Sequence, residues 1–156
     1  MMDAITIKEG IEIGTTLWYG IGALVLLATS AMASGSEVAF FSLTHSDIQD
    51  LESKEDGPSR RVMELLENRD RLLATILVVN NMVNICLVIV TTQLIDSIFS
   101  FTGVWEFIFN TIVITFVLLL FGEILPKVFS QENPRWFARM VVYPIRFFKF
   151  VTYPMA

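Results

Sequence analysis

An acidic residue and a proline lie close together near the end of the third long apolar stretch, in Phe121-Gly122-Glu123-Ile124-Leu125-Pro126-Lys127. A carboxylate at the edge of a membrane span is energetically costly and indicates a functional role. Because proline has no backbone N–H, Pro126 leaves the carbonyl of Gly122 without its helical hydrogen bond. A carboxylate beside a free carbonyl supplies the hard oxygen ligands that Mg2+ and Ca2+ prefer. The simpler alternative is a proline kink at a membrane boundary, where Glu123 and Lys127 form a solvated pair.

Polar groups also interrupt the other two apolar stretches. The first stretch ends in Ser34-Gly35-Ser36-Glu37, where small side chains allow close helix packing and Gly35 permits a local break in the helix. The second stretch carries the amides Asn80, Asn81 and Asn84, and the first and last of these share a helical face. Amides within a span often form hydrogen bonds between helices, so a structural role is the alternative for all three.

The elements that must position these residues are membrane-spanning helices. Of the 156 residues, 54% are hydrophobic and 17% are charged, which is too apolar for an ordinary soluble domain. Three stretches have transmembrane length, at about 13–41, 72–95 and 104–126. The composition and these lengths predict an all-α membrane protein with three transmembrane helices.

The basic residues are distributed unevenly around the predicted spans. Of eleven Lys and Arg residues, Lys8 alone precedes the first span, and none lies between the second and third. The others fall in two segments, one between the first two spans and one after the third: Lys54, Arg60, Arg61, Arg69, Arg71, and Lys127, Arg135, Arg139, Arg146, Lys149. The positive-inside rule therefore predicts an N-terminus outside the cell and a C-terminus inside.

The segment of about 46–69 predicts a cytoplasmic helical hairpin next to the membrane. Ser46 and Gln49 have the spacing of a capping box at the start of its first helix. Gly57-Pro58 marks a stop and a restart, since proline favours the first turn of a helix. Acidic and basic residues lie together in this segment, which is typical of a solvated, salt-bridged surface.

The segment of about 134–153 predicts a belt helix that lies in the cytoplasmic membrane interface. At 100° per residue, Arg135, Arg139, Arg146 and Lys149 form one basic stripe. Aromatic and apolar residues occupy the remaining surface, and this combination is typical of an interfacial helix. A fourth span is the competing interpretation, and the four cations disfavour it.

The three polar groups lie at different predicted depths. The Ser34–Glu37 segment and Glu123 are near the cytoplasmic side, whereas Asn80–Asn84 come nine to thirteen residues after Arg71, roughly 13–20 Å deep by helical rise. We therefore expect the first and third spans to be broken or tilted inward where the groups meet, as in the discontinuous helices of transporters.

Three ordered motifs resemble the transmembrane domain of the cyclin M/CorB/CorC (CNNM-type, hemolysin-like) magnesium transporters. The first is Ser34-Gly35-Ser36-Glu37 followed by Phe40-Phe41-Ser42-Leu43. The second runs from Asp70-Arg71-Leu72-Leu73 into Asn80-Asn81-Met82-Val83-Asn84-Ile85, and the third is Phe121-Gly122-Glu123-Ile124-Leu125-Pro126-Lys127. The resemblance covers about residues 17–154. The family's second motif commonly begins with Gly where this chain has Val79.

The resemblance implies a homodimer in the cell membrane of a bacterium or archaeon, with Mg2+ as its ion and Na+ as a candidate coupling ion. It also implies that the natural protein continues after Ala156 into nucleotide-sensing CBS domains. Carried over by position, the metal ligands are the hydroxyls of Ser34 and Ser36, the amides of Asn81 and Asn84, the Gly122 carbonyl and the Glu123 carboxylate. An all-oxygen set fits Mg2+ and disfavours Zn2+ and Cu2+. Whether Glu37 neutralises the ion or pairs with Lys127 stays open.

The function expected is magnesium transport, as efflux or cation-coupled exchange, by alternating access at a site between broken helices. The alternative is a Mg2+-sensing membrane anchor that sets the state of cytoplasmic domains without transport. An enzyme is not expected, because His45 is the single histidine and no nucleophile–base pair is recognisable. No nucleic-acid partner is expected, and the lone Cys86 predicts no disulfide.

Overall fold

The computed structural model describes residues 2–99 and 103–154, with side chains described from Gly10 onward except that of Ile11. This part of the chain is built of helices. They are α1 (Met2–Phe41), α2 (His45–Ser53), α3 (Gly57–Leu66), α4 (Arg69–Ile98), α5 (Val104–Leu119), a π-helical turn (Leu120–Ile124), α6 (Leu125–Glu132) and α7 (Pro134–Thr152).

Three helical segments are long and apolar enough to cross a membrane, namely Glu12–Phe41, Arg69–Ile98 and Val104–Glu132. The third consists of α5, the π-helical turn and α6 in direct succession. The prediction of an all-α membrane protein with three spans is therefore confirmed. The orientation with the N-terminus outside stays a prediction, and the side chain of Lys8 lies outside the described residues.

The buried core lies at one end of the bundle. It is formed where the end of α1, the start of α4, the α2–α3 hairpin and α7 pack together, and its centre includes Phe40, Val62, Leu72 and Val141. Helix α1 is the central element, because it contacts α4, α6, α7 and the π-helical turn. Helix α5, the first part of the third span, does not belong to this core, since none of its described residues is buried.

The hairpin begins with a capping box, two residues earlier than predicted. Thr44 is the N-cap of α2, and its N–H and hydroxyl both donate to the Asp47 carboxylate, at 2.9 and 2.7 Å. Asp56 caps α3 by accepting from the Ser59 N–H at 2.9 Å. The prediction of Ser46 and Gln49 as the capping pair was wrong, because an Asp three residues after a Thr satisfies the same backbone donors.

Helix α7 has three faces rather than the two predicted. Phe137 and Val141 are buried against the core, whereas Trp136, Phe147 and Phe150 are exposed on another side of the helix. Its basic stripe faces the hairpin: Arg135 pairs with Asp47 and Asp50, Arg139 with Asp56, and Arg146 with Glu64. The stripe was expected beside lipid headgroups, and at Arg135 and Arg139 the hairpin carboxylates take that place.

Candidate metal centre

The third span changes its helical geometry at Gly122-Glu123. In the π-helical turn Leu120–Ile124, the N–H of Leu125 donates to the carbonyl of Leu120, five residues earlier, instead of to that of Phe121. The next residue, Pro126, has no N–H to donate to Gly122. Two successive carbonyls, of Phe121 and Gly122, therefore lack their regular α-helical donors. Such π-helical turns occur frequently at functional sites.

The free carbonyl of Gly122 faces α1. A Cβ added at Gly122 would lie 3.3 Å from Leu27 Cδ1 and 3.4 Å from Ser30 Oγ, so glycine lets the two helices approach closely here. The hydroxyl of the buried Ser30 lies 2.6 Å from Asn84 Oδ1, to which it donates, and 3.4 Å from the Gly122 carbonyl oxygen. Three oxygens from three different spans thus meet at Ser30.

The spacing of these oxygens suits a small octahedral cation. Adjacent ligands of Mg2+ at 2.0–2.1 Å from the metal are about 3.0 Å apart. The two measured separations at Ser30 Oγ, 2.6 and 3.4 Å, lie on either side of that value. A hydroxyl has only one proton, so Ser30 cannot fully satisfy both acceptors. These oxygens therefore retain lone pairs that are candidates to bind a cation.

Ser34 and Asn80 form a second hydroxyl–amide pair next to this group. Ser34 is fully buried one helical turn after Ser30, and its hydroxyl lies 3.2 Å from Asn80 Oδ1, to which it donates. Asn80 likewise lies one turn before Asn84 on α4, on the same face. The pairs Ser30–Asn84 and Ser34–Asn80 therefore form a ladder of polar contacts between α1 and α4.

Two of the carried-over ligands are not brought to this ladder. The hydroxyl of Ser36 is buried and donates to the carbonyl of Met32 within its own helix. Asn81 is exposed and lies about 100° around α4 from Asn80, with no hydrogen bond of its side chain to another described residue. Of the six candidate ligands, Asn84 and Gly122 meet at Ser30, Ser34 contacts Asn80 one turn away, and Ser36 and Asn81 do not reach the ladder.

The sixth candidate, Glu123, forms a charge cluster beside the ladder. Lys127 Nζ lies 3.4 Å from Glu123 Oε1 and also 3.4 Å from Glu37 Oε2. All three side chains are about one-third exposed. Of the two roles left open for Glu37, the structure shows the pair with Lys127, which also joins Glu37 to Glu123. In this arrangement the Lys127 ammonium pairs with the Glu123 carboxylate. Glu123 would have to separate from Lys127 in order to bind a metal ion.

Helix α1 is continuous through Gly35, contrary to the expected break. No described residue has a positive φ angle, and a Cβ added at Gly35 would overlap the ring of Phe137 from α7. The glycine therefore serves close packing rather than a change in backbone direction. The polar groups meet because α1 and α4 pack side by side, and the third span alone departs from regular helix.

Sequence reasoning did not include Ser30 and Asn80 among the ligands. The helical spacing could have indicated both residues, since each lies four residues before a predicted ligand: Ser30 before Ser34, and Asn80 before Asn84. Within the described residues, no group of three or more His, Cys, Asp and Glu side chains could hold a metal ion. A cation site here would therefore combine a single carboxylate, such as that of Glu123, with hydroxyl, amide and carbonyl oxygens.

The sequence matches a family model described as the cyclin M transmembrane N-terminal domain, over residues 21–156. It is 33% identical over 118 residues to the inner membrane protein YfjD of Escherichia coli, covering 76% of this chain and 26% of that protein. A chloroplastic DUF21 domain-containing protein of Arabidopsis thaliana is 33% identical over 137 residues, which is 87% of this chain and 20% of the relative. The metal transporter cnnm-4 of Caenorhabditis elegans is 29% identical over 148 residues, 91% of this chain and 31% of the transporter.

The chain thus spans about a third or less of the length of these relatives. Its three apolar helices and its likeness to an inner membrane protein identify it as a multi-pass membrane protein in contact with the lipid bilayer. Over most of its length, therefore, this chain belongs to the cyclin M (CNNM) transmembrane-domain family.

Proposed function

We propose that this chain binds Mg2+ as its substrate and carries it across the membrane. The observation that supports this most is the meeting of Ser30 Oγ, Asn84 Oδ1 and the Gly122 carbonyl between three spans, at separations of 2.6 and 3.4 Å. A carbonyl that lacks its helical donor inside a bilayer is costly, and the Ser30 hydroxyl at 3.4 Å compensates that of Gly122 only weakly. The ion would enter when Glu123 releases Lys127 and binds the metal instead. The oxygens of Ser34 and Asn80 would be further ligands close by.

A mainly apolar cavity with several polar residues in its lining lies near the opposite end of the bundle, and it is a candidate part of an ion path. It lies between α4 and α5, has a volume of about 120 Å3 and is lined in part by Thr91, Asp96, Asn110 and Thr115. Thr91 lies seven residues beyond Asn84 on α4, about 10 Å along the helix. A site near the middle of α4 and a cavity toward its far end fit alternating access, in which the ion moves outward after the inner end closes.

The test is ion flux in proteoliposomes loaded with a Mg2+-sensitive dye. Wild type should transport Mg2+, and Glu123→Gln should abolish transport, because the substitution keeps the size of the side chain and removes the charge beside the neutral ligands. Glu132→Gln, at the exposed end of α6, is the matched control and should transport normally. Full flux in Glu123→Gln would exclude this site from the proposal.

The alternative is a sensor that binds Mg2+ without transporting it. Its support is the packing of Phe137 from α7 on Gly35, directly beside Ser34, which links the polar ladder to the helix nearest the C-terminus. A sensor would show Mg2+-dependent thermal stabilisation that Glu123→Gln abolishes, together with no flux in wild type. A transporter shows both stabilisation and flux.

Homodimerisation and coupling to Na+ are further parts of the proposal. Asn81 is an exposed amide within a span, and an amide facing lipid lacks hydrogen-bond partners, so a second copy covering this face of α4 would satisfy it. Mass measurement of the detergent-solubilised chain by light scattering tests the dimer. Flux driven by an opposing Na+ gradient, and absent with K+ in its place, tests the coupling.

A further inference from the structure

A basic cavity lies between the hairpin and the second half of α7, apart from the polar ladder. Its volume is about 280 Å3, and its lining includes Arg61 and Glu64 from α3 and Arg146, Lys149, Phe150 and Tyr153 from α7 or its end. Three cations thus face one carboxylate. A fourth cation, Arg71 at the start of α4, stacks over the Tyr153 ring at 5.3 Å from its centroid.

The charge balance along α7 distinguishes this cavity from the rest of the hairpin contact. In the first half of α7, Arg135 and Arg139 have three carboxylates between them, those of Asp47, Asp50 and Asp56. In the second half, Glu64 is shared between Arg60 and Arg146, at 3.8 Å from each. The half-buried Lys149 has no ion pair with a described residue. Positive charge therefore remains uncompensated at this cavity and not at the other end of the helix.

The cavity also adjoins an apolar surface that a soluble anion would leave uncovered. Phe150 lines it and is 81% exposed, and Phe147, one turn earlier on the same side, is 64% exposed. Tyrosines and exposed aromatics next to cations are typical of the level of lipid headgroups. Basic pockets at the predicted cytoplasmic interface bind the anionic headgroups of membrane lipids.

We propose that this cavity binds the phosphodiester headgroup of an anionic phospholipid. Arg61, Arg146 and Lys149 contact the phosphate, and the acyl chains pass over Phe150 and Phe147 into the bilayer. The bound lipid would compensate the positive charge between α3 and α7 that the protein's own carboxylates leave unpaired. This proposal does not depend on Mg2+ transport.

The experiment uses Phe150→Trp as a fluorescent reporter, in the full chain with Trp18, Trp105 and Trp136 replaced by Phe. The protein is placed in vesicles that contain brominated lipid, either phosphatidylglycerol or phosphatidylcholine, whose bromine quenches nearby tryptophan. We expect stronger quenching by phosphatidylglycerol at equal mole fraction. In Arg146→Gln/Lys149→Gln this preference should fall on the order of fivefold per cation removed.

The matched control is Lys54→Gln/Arg69→Gln, which removes two cations from the segment between the first two spans that do not line the cavity. It should retain the preference for phosphatidylglycerol, and circular dichroism verifies that both variants are folded. Equal quenching by the two lipids in the reporter protein would overturn the proposal, as would an equal loss in the control. If glycerol phosphate at low millimolar concentration relieved the quenching, the cavity would bind a soluble phosphate. That result would overturn the proposal that it binds a lipid.

Discussion

Individual side chains decide which oxygens of this protein can reach a metal ion. Ser30 and Ser36 are both buried serines on α1, yet Ser30 faces Asn84 and Gly122, whereas Ser36 bonds back to Met32 in its own helix. Six residues separate them, so on a helix they point about 120° apart after complete turns are subtracted. Direction around α1, rather than residue type, separates a candidate ligand from a structural hydroxyl.

The two serines provide a matched pair of variants. Ser30→Ala should weaken Mg2+ binding by up to about thirtyfold, because a water that replaces the hydroxyl costs up to about 2 kcal/mol to immobilise. Ser36→Ala removes the same group from the same helix and should leave the affinity unchanged. Titration of the Mg2+-dependent rise in unfolding temperature measures both. An affinity that changes for Ser36→Ala and not for Ser30→Ala would contradict this assignment.

The role of Pro126 can be tested in the same way by comparison with Pro144, a proline inside α7 that is not part of the third span. Pro126→Ala restores an N–H that can bond to the Gly122 carbonyl, so the protein without Mg2+ should become more stable while the Mg2+-dependent stabilisation decreases. A proline inside a helix costs about 3 kcal/mol, which is the upper limit of the gain. Pro144→Ala should raise the unfolding temperature without changing the response to Mg2+. If both variants respond to Mg2+ like wild type, the free carbonyl is not part of the site.

At the scale of elements, the hairpin and α7 are held together by a buried apolar core with ion pairs at its edge. Leu51 and Val62 from the hairpin meet Val141 and Val142 from α7, and all four are almost fully buried. Exposed ion pairs contribute only about 0.2–1 kcal/mol each. The apolar contacts therefore provide most of the attachment, and pairs such as Arg135–Asp47 determine the relative position of the two elements.

Asp47 gives this attachment a dependence on pH. Hydrogen bonds from the backbone N–H and the hydroxyl of Thr44, together with the charge of Arg135, lower the pKa of Asp47 below its ordinary value of 3.8. Since its folded pKa is the lower one, the carboxylate stabilises the fold at pH values above 3.8, and this contribution is lost as the pH falls through the folded pKa. Asp47→Asn should thus lower the free energy of unfolding at pH 7 by roughly 0.3–1 kcal/mol, the contribution of an acidic side chain in the first turn of a helix.

The same substitution should have progressively less effect as the pH falls below 3.8, because wild type then loses the charge as well. Unfolding temperatures of both proteins at pH 7 and pH 3 measure the difference. Glu52→Gln, at an exposed position of α2, is the control and should differ little from wild type at pH 7. A constant difference between wild type and Asp47→Asn at the two pH values would argue against the role of the carboxylate.

At the scale of the whole molecule, the chain is densely packed at one end and open at the other. The core lies where the hairpin and α7 surround the end of α1, while α5 makes few contacts with α1 and α4 and has no buried residue among those described. Elements with few buried contacts move at low energetic cost. Among the described residues, α5 is therefore the segment best suited to move in the proposed transport cycle.

Asp96 tests whether the cavity between α4 and α5 belongs to the ion path. Asp96→Asn should reduce Mg2+ flux severalfold, because it removes the one carboxylate that lines the cavity, while Mg2+-dependent thermal stabilisation stays at the wild-type level. Glu106→Gln is the matched control, since Glu106 is an exposed acid in the first turn of α5 that does not line the cavity. Flux that falls equally in both variants would indicate a general effect of surface charge instead of a path.

The sequence by itself determined the elements of this protein. The three spans, the hairpin and the belt helix follow from local properties, namely apolar length, proline and glycine positions and the distribution of Lys and Arg. The free Gly122 carbonyl also follows from local chemistry, because the missing N–H of Pro126 affects a residue only four positions away.

Only the tertiary structure decided which polar residues meet. On a helix, Asn80 and Asn81 differ by about 100° in direction, and the packing of α1 against α4 places Asn80 opposite Ser34 and leaves Asn81 exposed. Likewise, the basic stripe of α7 was visible in the sequence, but its partners were not, because Arg135 and Asp47 are 88 residues apart and are joined only by the fold. Contacts between distant residues depend on how helices pack, and a single sequence does not specify that geometry.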